Sequence, residues 1–274
     1  MRNPTLLDRQ LELLRYLTNT DLVFGGKAGL SRAANDPSLR GMSLPLLRLE
    51  AEMSFSKRMG KIAKPLDRTF AYLGHHRTHI FREFADAFPP KTFKRYDEAL
   101  AFHQFLIERW KLKSAVPAFL PDIARLEIVM SRIRAQRASS VEGPPPDGDF
   151  VRLSESAEVI RLEFDIRPIF ETKDIITDVP RVENHILVAQ MIRGRGPRIV
   201  PIVPTIAKLL SSLTTWTPLT DVVAQATESA DDAPGVISGL IRGGAIETSQ
   251  TMTRSPGANG LSSGKQGNPA TQSP

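Results

Sequence analysis

Cysteine is absent from all 274 residues. That excludes structural disulfides, thiolate nucleophiles and thiolate metal sites together. Any apolar run near twenty residues is missing too, so no membrane span and no membrane partner is expected. The opening Met1-Arg2-Asn3-Pro4 lacks the apolar stretch and small-residue cleavage site of a secretory signal, which makes the cytoplasm the expected location. No serine stands in a Gly-x-Ser-x-Gly elbow. No glycine-rich loop joins a strand to a helix as a phosphate cradle does; Gly194-Arg195-Gly196-Pro197 falls between two strand patterns and reads as a hairpin turn. Repeats of fixed period are absent.

Positive charge is unevenly supplied. Residues 1–150 carry 24 Lys/Arg against 17 Asp/Glu, whereas residues 151–274 carry 12 against 13. Phosphate neutralisation provides most non-specific affinity for nucleic acid, so the second half is a poor nucleic-acid binder and no nucleic-acid partner is expected.

Apolar spacing predicts helices over 4–18, 44–63, 65–73, 75–88, 95–111 and 119–135, broken at Pro65, Pro89-Pro90 and Pro117. Between Thr18 and Leu44 the glycines and Pro37 predict a long irregular loop (19–43). Residues 1–140 thus read as an all-helical bundle, and 141–150, with three consecutive prolines at 144–146, as a linker. Residues 151–249 read as a small α+β domain. Its alternating runs begin at Arg161, at Ile186 and at Ile199, and helical patterns start at Pro204, Pro218 and Ala233. The Gly-, Ser- and Pro-rich segment 250–274 has almost nothing to bury and is expected to be disordered.

Three strands followed by three short helices make a winged-helix-like pattern. The segment from Ile206 to Glu247 resembles the PqqD-like recognition element of ribosomal peptide biosynthesis. In the first half, Phe81-Arg82-Glu83-Phe84, Phe88-Pro89-Pro90 and Leu120–Glu127 resemble the helical domain of partner subunits of multinuclear non-haem iron oxidative enzymes, the TglI and MbnC type. Together the resemblances cover about residues 55–248. They imply a non-catalytic partner protein that grips the leader of a precursor peptide and docks on a separate iron-dependent TIM-barrel oxidase, which modifies a peptide cysteine. The TglI branch, the 3-thiaglutamate pathway with β-carbon excision from a C-terminal cysteine, is favoured over the MbnC branch. Iron would belong to the barrel; this chain is expected to hold no cofactor and no catalytic residue.

In that family the leader lies along the third strand and against the third helix. Carried over, the leader-binding residues are Arg198, Ile199, Val200, Pro201, Ile202 and Val203 of the strand, with Ile237, Leu240, Ile241 and Arg242 of the helix. Arg195 and Arg198 suit an acidic leader. An exposed strand edge gives affinity through main-chain hydrogen bonds and specificity through alternate side-chain pockets. Pro201, having no N–H, removes one possible bond.

Three other features compete. His75 and His79 would sit one turn apart on a helix, a spacing that can hold a metal, although a solvated or capping cluster explains them as well. Asp122, Arg125 and Glu127 read as a paired-charge helix surface. Lys57, Arg58, Lys61 and Lys64 around Met53, Phe55 and Met59 read as a basic face, solvated or used for docking. The functional alternative is a winged-helix DNA-binding regulator; it asks for a basic third helix, and only Arg242 is basic within 233–242.

Overall fold

The computed structural model describes residues 5–36, 39, 41–90, 94–135, 146–190, 196–227 and 233–249. The expected linker, apart from residues 146–150, lies outside the described residues, as do Arg195 and the segment 250–274. An α-helical N-terminal part is followed by an α+β part containing small antiparallel sheets.

Helix α1 (Leu6–Thr18) opens on a reciprocal cap between Thr5 and Asp8. It ends at Asn19, whose side chain accepts the Asp21 N–H (2.8 Å) and so starts α2 (Thr20–Phe24). Helix α3 (Gly26–Ala34) follows directly. These two helices replace the loop expected over 19–43. The glycines there permit close packing: a Cβ on Gly25 or Gly29 would strike the Asp21 carbonyl, and Gly26 takes a positive φ of 55° to turn the chain between helices.

Helix α4 (Leu44–Ala63), α5 (Asp67–Leu73), a 3-10 turn at Gly74–His76, α6 (Arg77–Ala87), α7 (Arg95–Leu112) and α8 (Leu120–Ala135) complete the bundle. Phe81, Phe84 and Phe102 are fully buried at its centre, with ring centroids 5.1–5.8 Å apart. Helix α8 buries residues around most of its circumference, including Leu120, Ile123, Leu126, Ile128, Val129 and Ile133. A helix apolar on several faces must have neighbours on several sides. On one side are α5 and α7; on another is a sheet.

Strand β1 (Phe150–Leu153), β2 (Ala157–Leu162), the short α9 (Arg167–Glu171), β3 (Asn184–Gln190) and β4 (Pro197–Ile202) come next. The first alternating run therefore ends near Arg161, where the sequence pattern had it begin. Then follow α10 (Pro204–Ser212), β5 (Thr217–Pro218), α11 (Leu219–Thr227), α12 (Ala233–Gly243) and β6 (Ile246–Thr248). One antiparallel sheet has the order β2-β3-β4, the other β5-β1-β6. The second is closed by Arg152, which is buried, pairs with Glu247 of β6 (2.9 Å) and lies over the Trp216 ring.

Four successive β3 residues, Ile186, Leu187, Val188 and Ala189, are each at most 1% exposed. Side chains alternate across a strand, so both faces of this sheet are covered. Ile186 and Val188 join the bundle core with Ile160 and Leu162; Leu187 and Ala189 join a second core with α10 to α12. The boundary read near residue 140 is thus crossed by one continuous core. Polar ties reinforce it. Asp122 of α8 accepts the Glu163 and Phe164 N–H groups (2.8 and 2.9 Å), Arg125 donates to the Arg161 carbonyl (3.2 Å), and Arg132 pairs with Glu158 (2.7 Å).

Candidate functional site

Strand β4 lies at one border of its sheet, and among the described residues no strand pairs with its outer side. Its register runs from His185 opposite Ile202 to Gln190 opposite Pro197. Which backbone groups face outward follows from one hydrogen bond. The Gln190 N–H donates to Ser156 (2.9 Å), so the even-numbered residues of β3 turn their backbone toward β2. Antiparallel ladders alternate, hence His185, Leu187 and Ala189 bond to β4 through Ile202, Val200 and Arg198. Pro197, Ile199 and Pro201 direct their backbone to the open border.

Both prolines therefore turn their nitrogens away from the sheet, the arrangement a strand can tolerate. That border offers three carbonyls and a single N–H, that of Ile199. A chain added there donates to this protein more than it accepts. Prolines on an edge also discourage pairing between copies. Replacing both, as Pro197→Ala/Pro201→Ala, is expected to produce concentration-dependent self-association by analytical ultracentrifugation where the unaltered chain shows none.

Side chains divide by face. Val200 and Ile202 are half-buried against the core formed with α10 to α12, and so are Leu240 and Ile241 of α12. Arg198 and Arg242 are exposed. Val200, Ile202, Leu240 and Ile241 thus share one core, and Arg198 stands on the same face of β4 as Val200 and Ile202. Four carried-over residues stand apart, the first being Pro201, which is opposite Ile186 and so on the other face of β4. Ile199 packs on the other face, against the bundle core, because it stands opposite Val188. Ile237 is 2% exposed and serves as core, out of reach of a ligand. Val203 lies past the end of β4 and gives its carbonyl to the Ala207 N–H at the start of α10.

The opposite border of the sheet belongs to β2, whose outward residues are Ala157, Val159 and Arg161. Ala157 donates to Ser154 (2.9 Å) and the Arg161 carbonyl accepts from Arg125. Val159 and Arg161 contribute two N–H groups there, so that border is the internal comparison for any strand addition.

No family model matches the chain, and no curated protein matches it.

The competing features resolve into structure. His75 lies in the 3-10 turn and stacks on His76 with centroids 3.8 Å apart, while His79 is on α6 and pairs with Glu83 (3.0 Å). The one-turn spacing on a single α-helix is not formed. Among the described residues no group of three or more potential metal-ligating side chains gathers. The charged segment on α8 is no surface. Glu127, 6% exposed, accepts the Arg68 N–H (2.7 Å), the Thr69 N–H (2.9 Å) and the Thr69 hydroxyl (2.7 Å) at the start of α5. Burial pushes its carboxyl up to about 7 against those hydrogen bonds, which act to lower it. Asp122 is raised for the same first reason, and its bonds to Phe164 and Glu163 oppose the shift.

Arg58 likewise leaves the expected basic face. It pairs with the buried Glu98 (2.9 Å), donates to the Phe88 carbonyl (2.6 Å) and lies over the Phe84 ring. Lys57 and Lys61 remain beside a cavity of about 380 Å³ whose walls include Leu17, Val23 and Phe55. Lys64 turns instead toward a separate groove, with Arg95 and Arg134. Sequence reasoning did not bring those three together, since they come from three helices and share no spacing.

Proposed function

We propose that this chain is a non-catalytic recognition subunit that binds the leader of a ribosomally made precursor peptide along the outer border of β4. The observation that carries the reading is a strand border unpaired among the described residues, on a strand whose half-buried Val200 and Ile202 belong to the same core as Leu240 and Ile241 of α12. Main-chain bonds would hold the peptide, and alternate peptide side chains would meet those four residues. Arg198 and Arg242 at the rim suit an acidic leader.

The order of strands before three short helices, with β1, β5 and β6 forming a small companion sheet, supports a PqqD-like, winged-helix-like reading of the second half. The helical half, which resembles the TglI and MbnC type of subunit, would dock on an iron-dependent TIM-barrel oxidase. That partner would carry the iron and perform the oxidation at the peptide cysteine, in the favoured branch the β-carbon excision of the 3-thiaglutamate pathway. Peptide reading is preferred to DNA reading because α12, the helix a winged-helix regulator would insert in a groove, has Arg242 as its sole base.

The test is a titration. A labelled leader from a precursor peptide encoded beside this chain should bind the chain, alone or with a co-expressed barrel oxidase. Absence of binding in both forms removes the reading.

A further inference from the structure

At the end of the sheet where β4 begins, an open groove of about 810 Å³ runs between the α4–α5 turn, the start of α7 and the end of α8. Lys64, Lys94, Arg95, Arg132 and Arg134 line it, with Tyr96 and the single carboxylate of Asp97. Arg132 is committed to Glu158. Lys64, Arg95 and Arg134 have no carboxylate partner among the described residues, and all three are exposed. Cations gathered around one concavity raise its potential and concentrate anions there. The groove also adjoins the proposed peptide track: a Cβ on Gly196, the residue before Pro197, would lie 4.0 Å from the Arg134 Nε.

We infer that this groove takes a run of acidic side chains belonging to the same extended peptide, at the end of its path that adjoins Pro197. The inference rests on the β4 reading for its peptide and adds the chemistry that selects it. A carboxylate chain fits better than a nucleic acid. The basic lining is small and includes Asp97, whereas nucleic-acid affinity is built from many phosphate contacts. Carboxylates spaced along an extended peptide would need only Lys64, Arg95 and Arg134.

Fluorescein-labelled hexaglutamate is the probe, followed by anisotropy with the full chain at low salt. Saturable binding is expected, weakened by added salt and at least roughly tenfold weaker in Arg95→Glu/Arg134→Glu. The milder Arg95→Gln/Arg134→Gln should fall between, which guards against a reading based on misfolding. Hexaglutamate that fails to bind, or that binds both double variants as tightly as the unaltered chain, overturns the groove while leaving the leader titration to judge β4 separately. Tighter, Arg95- and Arg134-dependent binding of a twelve-residue oligothymidylate overturns it in favour of nucleic acid.

Discussion

Glu127→Ala should lower the unfolding free energy by about 3–5 kcal/mol, because the substitution strands three buried donors at once. The Arg68 N–H, the Thr69 N–H and the Thr69 hydroxyl all end on this carboxylate, 6% exposed, and nothing else described accepts from them. These donors begin α5, so their loss also unfastens α5 from α8. Denaturant titration followed by far-ultraviolet circular dichroism measures the change. Glu127→Gln keeps the shape and one acceptor oxygen, and it adds a pH signature. In the folded chain the Glu127 carboxyl holds its proton up to about 7, against an ordinary 4.5. Between these values the folded state binds more protons than the unfolded one, so this group's contribution falls as pH rises through that window. The unaltered protein should therefore lose about 3 kcal/mol relative to Glu127→Gln between pH 4.5 and 7. A stability difference that stays flat across the window would mean that the carboxylate is ionised throughout, held by its three donors.

Val200→Asp and Leu240→Asp should each weaken leader binding by roughly thirtyfold, equivalent to about 2 kcal/mol. Each places a carboxylate where the proposed peptide would seat an apolar or acidic side chain, on the core shared with Ile202 and Ile241. Ile199→Asp should behave differently. Its side chain packs toward the bundle, opposite Val188, so the substitution should cost stability more than it costs contacts with a peptide on the α12 face. Melting temperatures recorded beside the affinities separate these effects. Equal affinity for all three variants would remove the assigned groove.

Much of the helical half was legible in its spacing. Helix α4 spans Leu44–Ala63, as its apolar periodicity predicts, and α7 begins at Arg95 as expected. Prolines marked the breaks because they end helices by chemistry that is local. Where local chemistry has two uses, the reading failed: Gly25 and Gly29 signal a loop in sequence but allow the close approach of α2 and α3. Strand β3 was visible as an apolar run. Strands β1, β5 and β6, of four, two and three residues, are too short to show a period, and they exist only because distant segments pair. Glu127 reads as surface on its own helix; its partners are 58 and 59 residues away.

The candidate site was partly legible for the same reason. The strand and the third helix could be located from their patterns. Which β4 residues share a face could not be fixed until the register against β3 was known, and that register moved Ile199 to the bundle side. The outward turn of Pro197 and Pro201 depends on the same register. So does the scarcity of donors along that border, which makes the Ile199 amide a single reporter for strand addition.

Amide hydrogen exchange by NMR, with and without bound leader, tests that border most directly. If an extended peptide lies along β4, the Ile199 amide becomes strongly protected on binding while the Val159 and Arg161 amides on the far border of the sheet are unchanged. Protection that arises at Val159 and Arg161, with Ile199 exchanging as before, would place the peptide on β2 and contradict the account.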